Sequence, residues 1–367
     1  MLTTFNKQRV LIAPLDWGLG HATRCIPIIR LLQDFGCEVI IASSGAQQKL
    51  LINEFRHLQF LCLKGYEVKY TKVKPLLPLK MVSQIPKIIA AIQYEHRWLD
   101  KVIDEQKIDV VISDNRYGLY THKVPCIFIT HQLTIKAPFK WLKAVLQNIN
   151  YKYINRFTAC WVPDVEEENN IAGELSHPLK KPTAPLHYIG LLSRFEKRDD
   201  IAEKQYDYCI MLSGPEPQRT ILEEMILHDA HKTNKQLFLL RGKPGNTDII
   251  NAPENVTVAN HLSGEELQQA ILKSEYIICR SGYTSVMELL SLQKKAILIP
   301  TPGQTEQEYL ASRLMYQGWC YSIRQNRFNL LQAIQSAGQF NYQLPDIKGN
   351  SLQETMQGFF NEVWKQL

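Results

Sequence analysis

The sequence has no apolar run approaching the roughly eighteen residues that a membrane-spanning helix needs. Its opening residues, MLTTFNKQRVLIAPL, lack the charged start, long apolar stretch and small-residue cleavage site of a secretory leader. The expectation is therefore a cytoplasmic protein. The eight cysteines include no C-x-x-C pair, and Cys126, Cys160, Cys209 and Cys279 lie within apolar, strand-like runs, which suits reduced core thiols. No zinc-finger spacing or RNA-binding signature is present, so no nucleic-acid partner is expected. No D-x-D pair follows a strand, and the histidines of HDAH at 228–231 have no third ligand in view; the expected metal is none, and the expected cofactor is none.

What is present is alternation. The chain has 367 residues, 45% hydrophobic and 21% charged, enough for two globular domains. β-branched runs (RVLIAPL, EVIIAS, LQFLCLK, DVVISD, PCIFIT, ACWVP) are separated by helical patterns at 22–35, 45–55, 81–106 and 138–156. After a charged, proline-rich stretch the pattern resumes with YCIMLSG, QLFLLRG, NVTVAN, YIICRSG and KAILIPT. Strands alternating with helices imply parallel sheets. The predicted organisation is a first doubly wound domain over 1–190, a linker over 191–206 and a second such domain over 207–350. A C-terminal helix over 351–367 is expected to pack back on the first.

The formal charge is +6, but residues 64–156 hold 16 Lys and Arg against 7 Asp and Glu. The positive field thus belongs to one region. There, Lys64, Lys69, Lys72, Lys74, Lys80 and Lys87 surround Leu76, Leu77, Leu79 and Met81, and KAPFKWLKAVL adds Phe139 and Trp141. Cations around apolar and aromatic groups suit an anionic membrane surface, or else a solvated loop followed by core helices.

Chemistry in doubly wound folds gathers in the loops after strands. The first, DWGLGHATR at 16–24, sets Gly18, Gly20 and Thr23 in a G-x-G-x-x-G frame whose third glycine is missing, and no acidic residue ends the second strand. Dinucleotide binding is thereby disfavoured. The loop instead offers Asp16 and His21, and a histidine at a strand end can take a proton from a hydroxyl or a water. Arg24 follows at the same helix start, suited to an anion or to a solvated face. Asp114 and Asn115, within SDNRYGLY, are candidates for the acceptor side together with Gly18, Gly20 and Arg24. In the second half, Ser281, Gly282, Thr284 and Ser285 stand where a strand turns into a helix, a ready anion site. Glu288 lies one turn further, on the face of Thr284, suited to a diol. Gln304, Glu306 and Gln307 follow the next strand, and Arg219 and Arg241 follow glycine-ended strands as cations for a pyrophosphate.

Taken together these segments resemble the GT-B glycosyltransferases, in particular glycosyltransferase family 28 and the MurG-like enzymes that add N-acetylglucosamine to a lipid-linked acceptor. CRSGYTSVMELL matches the family's R-x-G-x-x-T/S-x-x-E segment, and KKAILIPTPGQTEQEYLA its proline and glutamine stretch. The resemblance implies two Rossmann-like α/β domains facing across a cleft. It also implies a nucleotide-diphosphate donor, here expected to be UDP-linked, and an inverting, metal-independent transfer to a hydroxyl acceptor. It places Gly282, Thr284 and Ser285 at the diphosphate, Glu288 at the ribose, Glu306 and Gln307 at the sugar, backbone around Leu262 at the base, and Ser213 and Gly214 in a first phosphate loop. His21 becomes the general base, with Asp16 orienting or replacing it. The GLGHATR segment is also similar to the G-x-G-H-x-x-R of nucleotide-sugar hydrolases of the same fold. A hydrolase or epimerase using His21 on water, and a non-catalytic nucleotide-sugar-binding module, are the alternatives.

Overall fold

The computed structural model describes residues 8–66, 85–136, 139–195, 203–347 and 351–364. The chain divides into two compact units, residues 1–193 with 348–367, and residues 194–347.

In the first unit the elements are β1 (Arg9–Pro14), α1 (Leu19–Asp34), β2 (Glu38–Ser43), α2 (Gly45–Glu54), β3 (Gln59–Cys62), α3 (Ile85–Gln106), β4 (Val110–Asp114), β5 (Cys126–Ile129), α4 (Lys140–Ile154), β6 (Ala159–Val162), β7 (Leu186–Tyr188) and the C-terminal α10 (Ser351–Trp364). Its sheet runs β3-β2-β1-β4-β5-β6-β7, all parallel. β1, β4, β5 and β6 are apolar without alternation because both faces are covered, and their side chains are buried almost throughout. α10 packs beside β7, with Phe359 set edge-on against Trp161 at 5.7 Å.

In the second unit the elements are β8 (Tyr206–Met211), α5 (Gln218–Ala230), β9 (Leu237–Leu240), β10 (Val256–Ala259), α6 (Gly264–Leu272), β11 (Ser274–Cys279), α7 (Tyr283–Ser291), β12 (Lys295–Leu298), α8 (Thr305–Tyr316), β13 (Tyr321–Ser322) and α9 (Leu330–Gln339). The sheet order is β10-β9-β8-β11-β12-β13, again parallel. Its core joins Ile210, Leu239, Ile278 and Ile297 from the strands to Leu222, Ile226, Leu330 and Ala333 from the helices. α6 opens with a capping box: Ser263 Oγ accepts from Glu266 N, and the Glu266 carboxylate accepts from Ser263 N. β13 and α9 form where the alternation gave no expectation.

In each sheet the chain reverses its direction of winding once, between β1 and β4 in the first unit and between β8 and β11 in the second. Adjacent helices start on opposite faces there, so the carboxyl ends of those strand pairs open into a crevice. Pro14 lies in register with Asp114, and Met211 with Cys279. The loops after these four residues carry most of the candidate site.

Candidate active site

The first-unit site begins at Gly18, which caps α1 with φ of 118°, a region that L side chains rarely adopt. Gln47 of α2 holds this turn, its amide donating to the carbonyls of Leu15 and Gly18. His21 is therefore fixed in the first turn of α1, over the end of β4. Its Nδ1 lies 2.8 Å from Oδ2 of Asp114, which is fully buried at the carboxyl end of β4. Arg24, one turn further along α1 and also buried, brings Nε to 3.0 and 3.1 Å from the two Asp114 oxygens and Nη2 onto Oδ1. Its Nη1 lies 3.3 Å from Nδ1 of His131.

Burial pushes the Asp114 carboxyl up, but Arg24 and His21 more than offset this and hold it below the usual carboxylate range. Asp114 is thus an acceptor. His21 Nδ1 also lies 2.9 Å from Arg24 Nη2, and one nitrogen cannot both donate to the carboxylate and accept from the guanidinium. A lone pair aimed at an ionised oxygen 2.8 Å away is repelled, so the proton sits on Nδ1 and the lone pair on Nε2. Burial first, and Arg24 next, lower the imidazole pKa against the opposing pull of Asp114. His21 is therefore a neutral base at neutral pH, 18% exposed.

Three expectations for this loop change. Asp16 does not orient His21: its carboxylate accepts from Tyr66 N at 3.0 Å, and it lies so close to Gly65 that a Cβ there would collide with it. The orienting carboxylate is Asp114, expected only on the acceptor side. Arg24 does not await an anion from outside, because its charge is matched by Asp114. Asn115 adopts φ of 56° as the chain leaves β4, and its N–H donates to Ile129 O. The rest of SDNRYGLY is held by a buried ion pair that the sequence did not reveal. Arg116 meets Glu95 of α3 at 2.8 Å and donates to Pro14 O, while Glu95 accepts from Tyr66 Oη and Gly118 N.

In the second unit, Gly282 caps α7 with extended backbone and supplies no side-chain cap; a Cβ there would meet nothing within 4 Å. Thr284 and Ser285 are part-exposed in the first turn. The buried Ser281 donates to Gln307 O at 2.8 Å, and Gln307 Oε1 accepts from Thr301 N at 2.9 Å, so the Gln307 side chain shapes the 301–303 loop. Gln304 caps α8, Glu306 lies in its first turn, and Leu262 directly precedes the Ser263 cap. Glu288 is buried on α7 and lies 2.8 Å from Arg194.

Arg219 and Arg241, expected at a pyrophosphate, turn inward onto one carboxylate. Arg219 Nη1 lies 2.5 Å from Glu223 Oε2, and Arg241 Nε meets Glu223 Oε1. Glu216 and Asn260 take up further donors. The cation at the winding reversal is Arg280, the first residue of the R-x-G-x-x-T/S-x-x-E segment, whose role the sequence did not reveal. It is 2% exposed, pairs with no carboxylate among the described residues, and donates to the carbonyls of Gln218 (2.8 Å), Ile299 (3.2 Å) and Ser213 (3.5 Å). Burial pushes its pKa down to about 10, which leaves it charged at neutral pH. Gly214 faces it with φ of 97°, and a Cβ there would lie 3.4 Å from Thr301 Oγ1, a buried hydroxyl with no partner among the described residues. Ser213, Gly214, Arg280, Gly282 and Thr301 thus gather at the ends of β8, β11 and β12.

Solved structures share this architecture. A MurG from Acinetobacter baumannii aligns with TM-score 0.58 at 15% identity over 98% of this chain and 99% of its own. The kitacinnamycin glycotransferase aligns with TM-score 0.61 at 14% identity over 97% and 95%. The fold is GT-B. Residues 216–358 match the glycosyltransferase family 28 C-terminal domain. A glycosyltransferase of Methanosarcina acetivorans is 24% identical over 85% of this chain and 84% of its own. The UDP-N-acetylglucosamine–N-acetylmuramyl-(pentapeptide) pyrophosphoryl-undecaprenol N-acetylglucosamine transferase of Clostridium tetani is 23% identical over 77% and 75%. The chain is a glycosyltransferase of GT-B fold, similar to the MurG enzymes and matching family 28 in its C-terminal part.

Proposed function

We propose that this enzyme moves a hexose or N-acetylhexosamine from a UDP-linked donor to a hydroxyl of a lipid-linked acceptor, with inversion and without a metal. The observation that carries this is the His21–Asp114 pair, 2.8 Å apart, at the winding reversal of the first sheet. The acceptor hydroxyl loses its proton to His21 Nε2 as its oxygen bonds to the anomeric carbon. The bond from that carbon to the diphosphate breaks on the opposite face, which inverts the configuration. Negative charge grows on the leaving diphosphate, where Arg280 and the amino end of α7 supply positive potential. The Clostridium tetani relative, named for a UDP-sugar and an undecaprenol-linked acceptor, supports the choice of donor and acceptor.

The test is release of nucleoside diphosphate from a panel of nucleotide sugars, in EDTA, with and without a membrane lipid extract. The extract is expected to raise turnover of a UDP-sugar at least about tenfold. Equal turnover without any acceptor would make the chain a nucleotide-sugar hydrolase instead.

The lipid-linked acceptor is supported by an exposed apolar face on α4. Trp141, Val145 and Ile149 repeat every four residues and are 68%, 49% and 47% exposed, and Phe139 stacks on Trp141 at 6.4 Å. Lys69, Lys72, Lys74, Lys80, Leu76, Leu77, Leu79 and Met81 lie outside the described residues. We expect the protein to bind anionic vesicles at low salt and neutral vesicles far less. Phe139→Ser with Trp141→Ser should weaken that binding by about tenfold or more. Equal partition onto both vesicle types would argue against a peripheral location at the membrane.

A further inference from the structure

The role inferred for His131 rests on His21 as the base of the transfer. His131 lies just past β5, whose last residue, Ile129, is in register with Asp114. Thr130 N continues the ladder by donating to Trp161 O, and Thr130 Oγ1 accepts from Gln132 N at 3.0 Å, which turns the chain at His131. Leu133 N is then tied to Leu175 O. The imidazole so placed is buried and reaches Arg24 of α1, 107 residues earlier.

A guanidinium donates hydrogens and has no lone pair to accept with. His131 Nδ1, 3.3 Å from Arg24 Nη1, is therefore the acceptor, and a neutral His131 carries its proton on Nε2. His21 is the opposite case, since its Nδ1 donates to Asp114. Arg24 Nη2 and His21 Nδ1 are thus two hydrogen-bearing nitrogens 2.9 Å apart beside one carboxylate. They divide its oxygens: Nη2 takes Oδ1, His21 takes Oδ2 at 2.8 Å, and Nε lies 3.0 and 3.1 Å from the two. A guanidinium fork matches both oxygens of a carboxylate, so the ion pair alone does not reserve Oδ2 for the histidine. The hydrogen bond at the remaining nitrogen, Nη1, fixes how the guanidinium is turned.

We propose that His131 is a positioning residue for the catalytic base: its Nδ1 anchors Nη1 of Arg24, which fixes the guanidinium on Asp114 and keeps Oδ2 for the Nδ1–H of His21. A proton on Nδ1 leaves the His21 lone pair on Nε2, the nitrogen that takes the proton of the acceptor hydroxyl. Without the anchor the guanidinium closes on both oxygens, and the imidazole loses the partner that selects its tautomer. His131 needs no contact with substrate in this role. It acts through Arg24 and Asp114.

The experiment is nitrogen-15 NMR of the histidine side chains in the labelled full chain, near pH 8, above the ordinary imidazole pKa. The His21 and His131 signals are identified by their loss in His21→Gln and His131→Asn. The parent should hold the two in opposite tautomers, His21 protonated on Nδ1 and His131 on Nε2. A parent His131 protonated on Nδ1 would overturn the proposal with no variant needed. His131→Leu should leave His21 a mixture of both tautomers. It should also lower kcat for nucleoside diphosphate release from a UDP-sugar, with the lipid extract, by about tenfold at a KM within about twofold of the parent. His131→Asn, whose amide oxygen stands in for Nδ1, should recover the single tautomer and most of the activity. An unchanged His21 tautomer in His131→Leu would overturn the proposal whatever the activity; a raised KM beside it would point to direct contact between His131 and substrate. If His131→Leu does not fold, His131→Phe, which keeps a planar ring without the lone pair, takes its place. Full turnover in His21→Ala would instead remove the base assignment, a result that does not depend on either tautomer.

Discussion

His21→Ala is expected to lower kcat for sugar transfer by about 10²–10⁴-fold, while affinity for UDP stays within about twofold because His21 and the diphosphate loops belong to different sheets. In the proposed transfer His21 works as the neutral imidazole. Its pKa is lowered below the ordinary value of about 6.5, so the base stays unprotonated as the pH falls through that value. The acid limb of kcat/KM should accordingly inflect below pH 6.5. Asp114→Asn should also lower kcat, since an amide does not hold Nδ1–H in place as a carboxylate does. Unlike His21→Ala it should cost stability, about 3–5 kcal/mol, because Arg24 is left buried without its counter-charge. The sign of the linkage agrees: a carboxylate whose pKa is lowered by folding stabilises above its ordinary value near 4. That stability disappears as the pH falls through the lowered pKa. An activity loss of only a few fold in His21→Ala, or an acid limb above pH 6.5, would remove His21 as the base.

Arg280→Met should combine weak donor binding with weak folding. The guanidinium joins the loop after β8, the start of α5 and the segment after β12 through three carbonyls, and methionine leaves these buried acceptors without a donor. Loss of buried hydrogen-bond partners on this scale costs about 2–4 kcal/mol, to be read by denaturant unfolding. The same change removes the positive charge at the loops proposed to hold the diphosphate, so UDP affinity should fall by about tenfold to a hundredfold. Arg280→Lys separates the two effects. It restores the charge with fewer directed donors, so it should recover more of the affinity than of the stability. If Arg280→Met binds UDP like the parent while unfolding more easily, the residue only braces the loops.

Much of this could be read along the chain. Runs such as RVLI and YIICR, apolar without alternation, belong to strands covered on both faces, and the helical patterns between them make those strands parallel. Gly18 and Gly214 take backbone angles that glycine favours, and the Ser263–Glu266 box caps α6, because each is a matter of a few consecutive residues. His21 and the 281–288 turn were likewise visible as side chains placed just after strands.

The partners of those side chains were not visible. Asp114 is 93 residues from His21, and only the adjacency of β1 and β4 in the sheet order brings their ends together. Asp16, five residues away, looked nearer and is engaged elsewhere. Arg219 and Arg241 read as spare cations until helix packing set both against Glu223, whereas Arg280, which read as one letter of a motif, is the charge left without a carboxylate partner among the described residues. Sequence by itself determined the strands, the turns and the chemical types at their ends, since periodicity, capping and glycine geometry act over a few residues. Tertiary structure alone decided which charges neutralise one another. Ion pairing depends on distances of a few ångströms between residues that only the order of strands in a sheet makes neighbours.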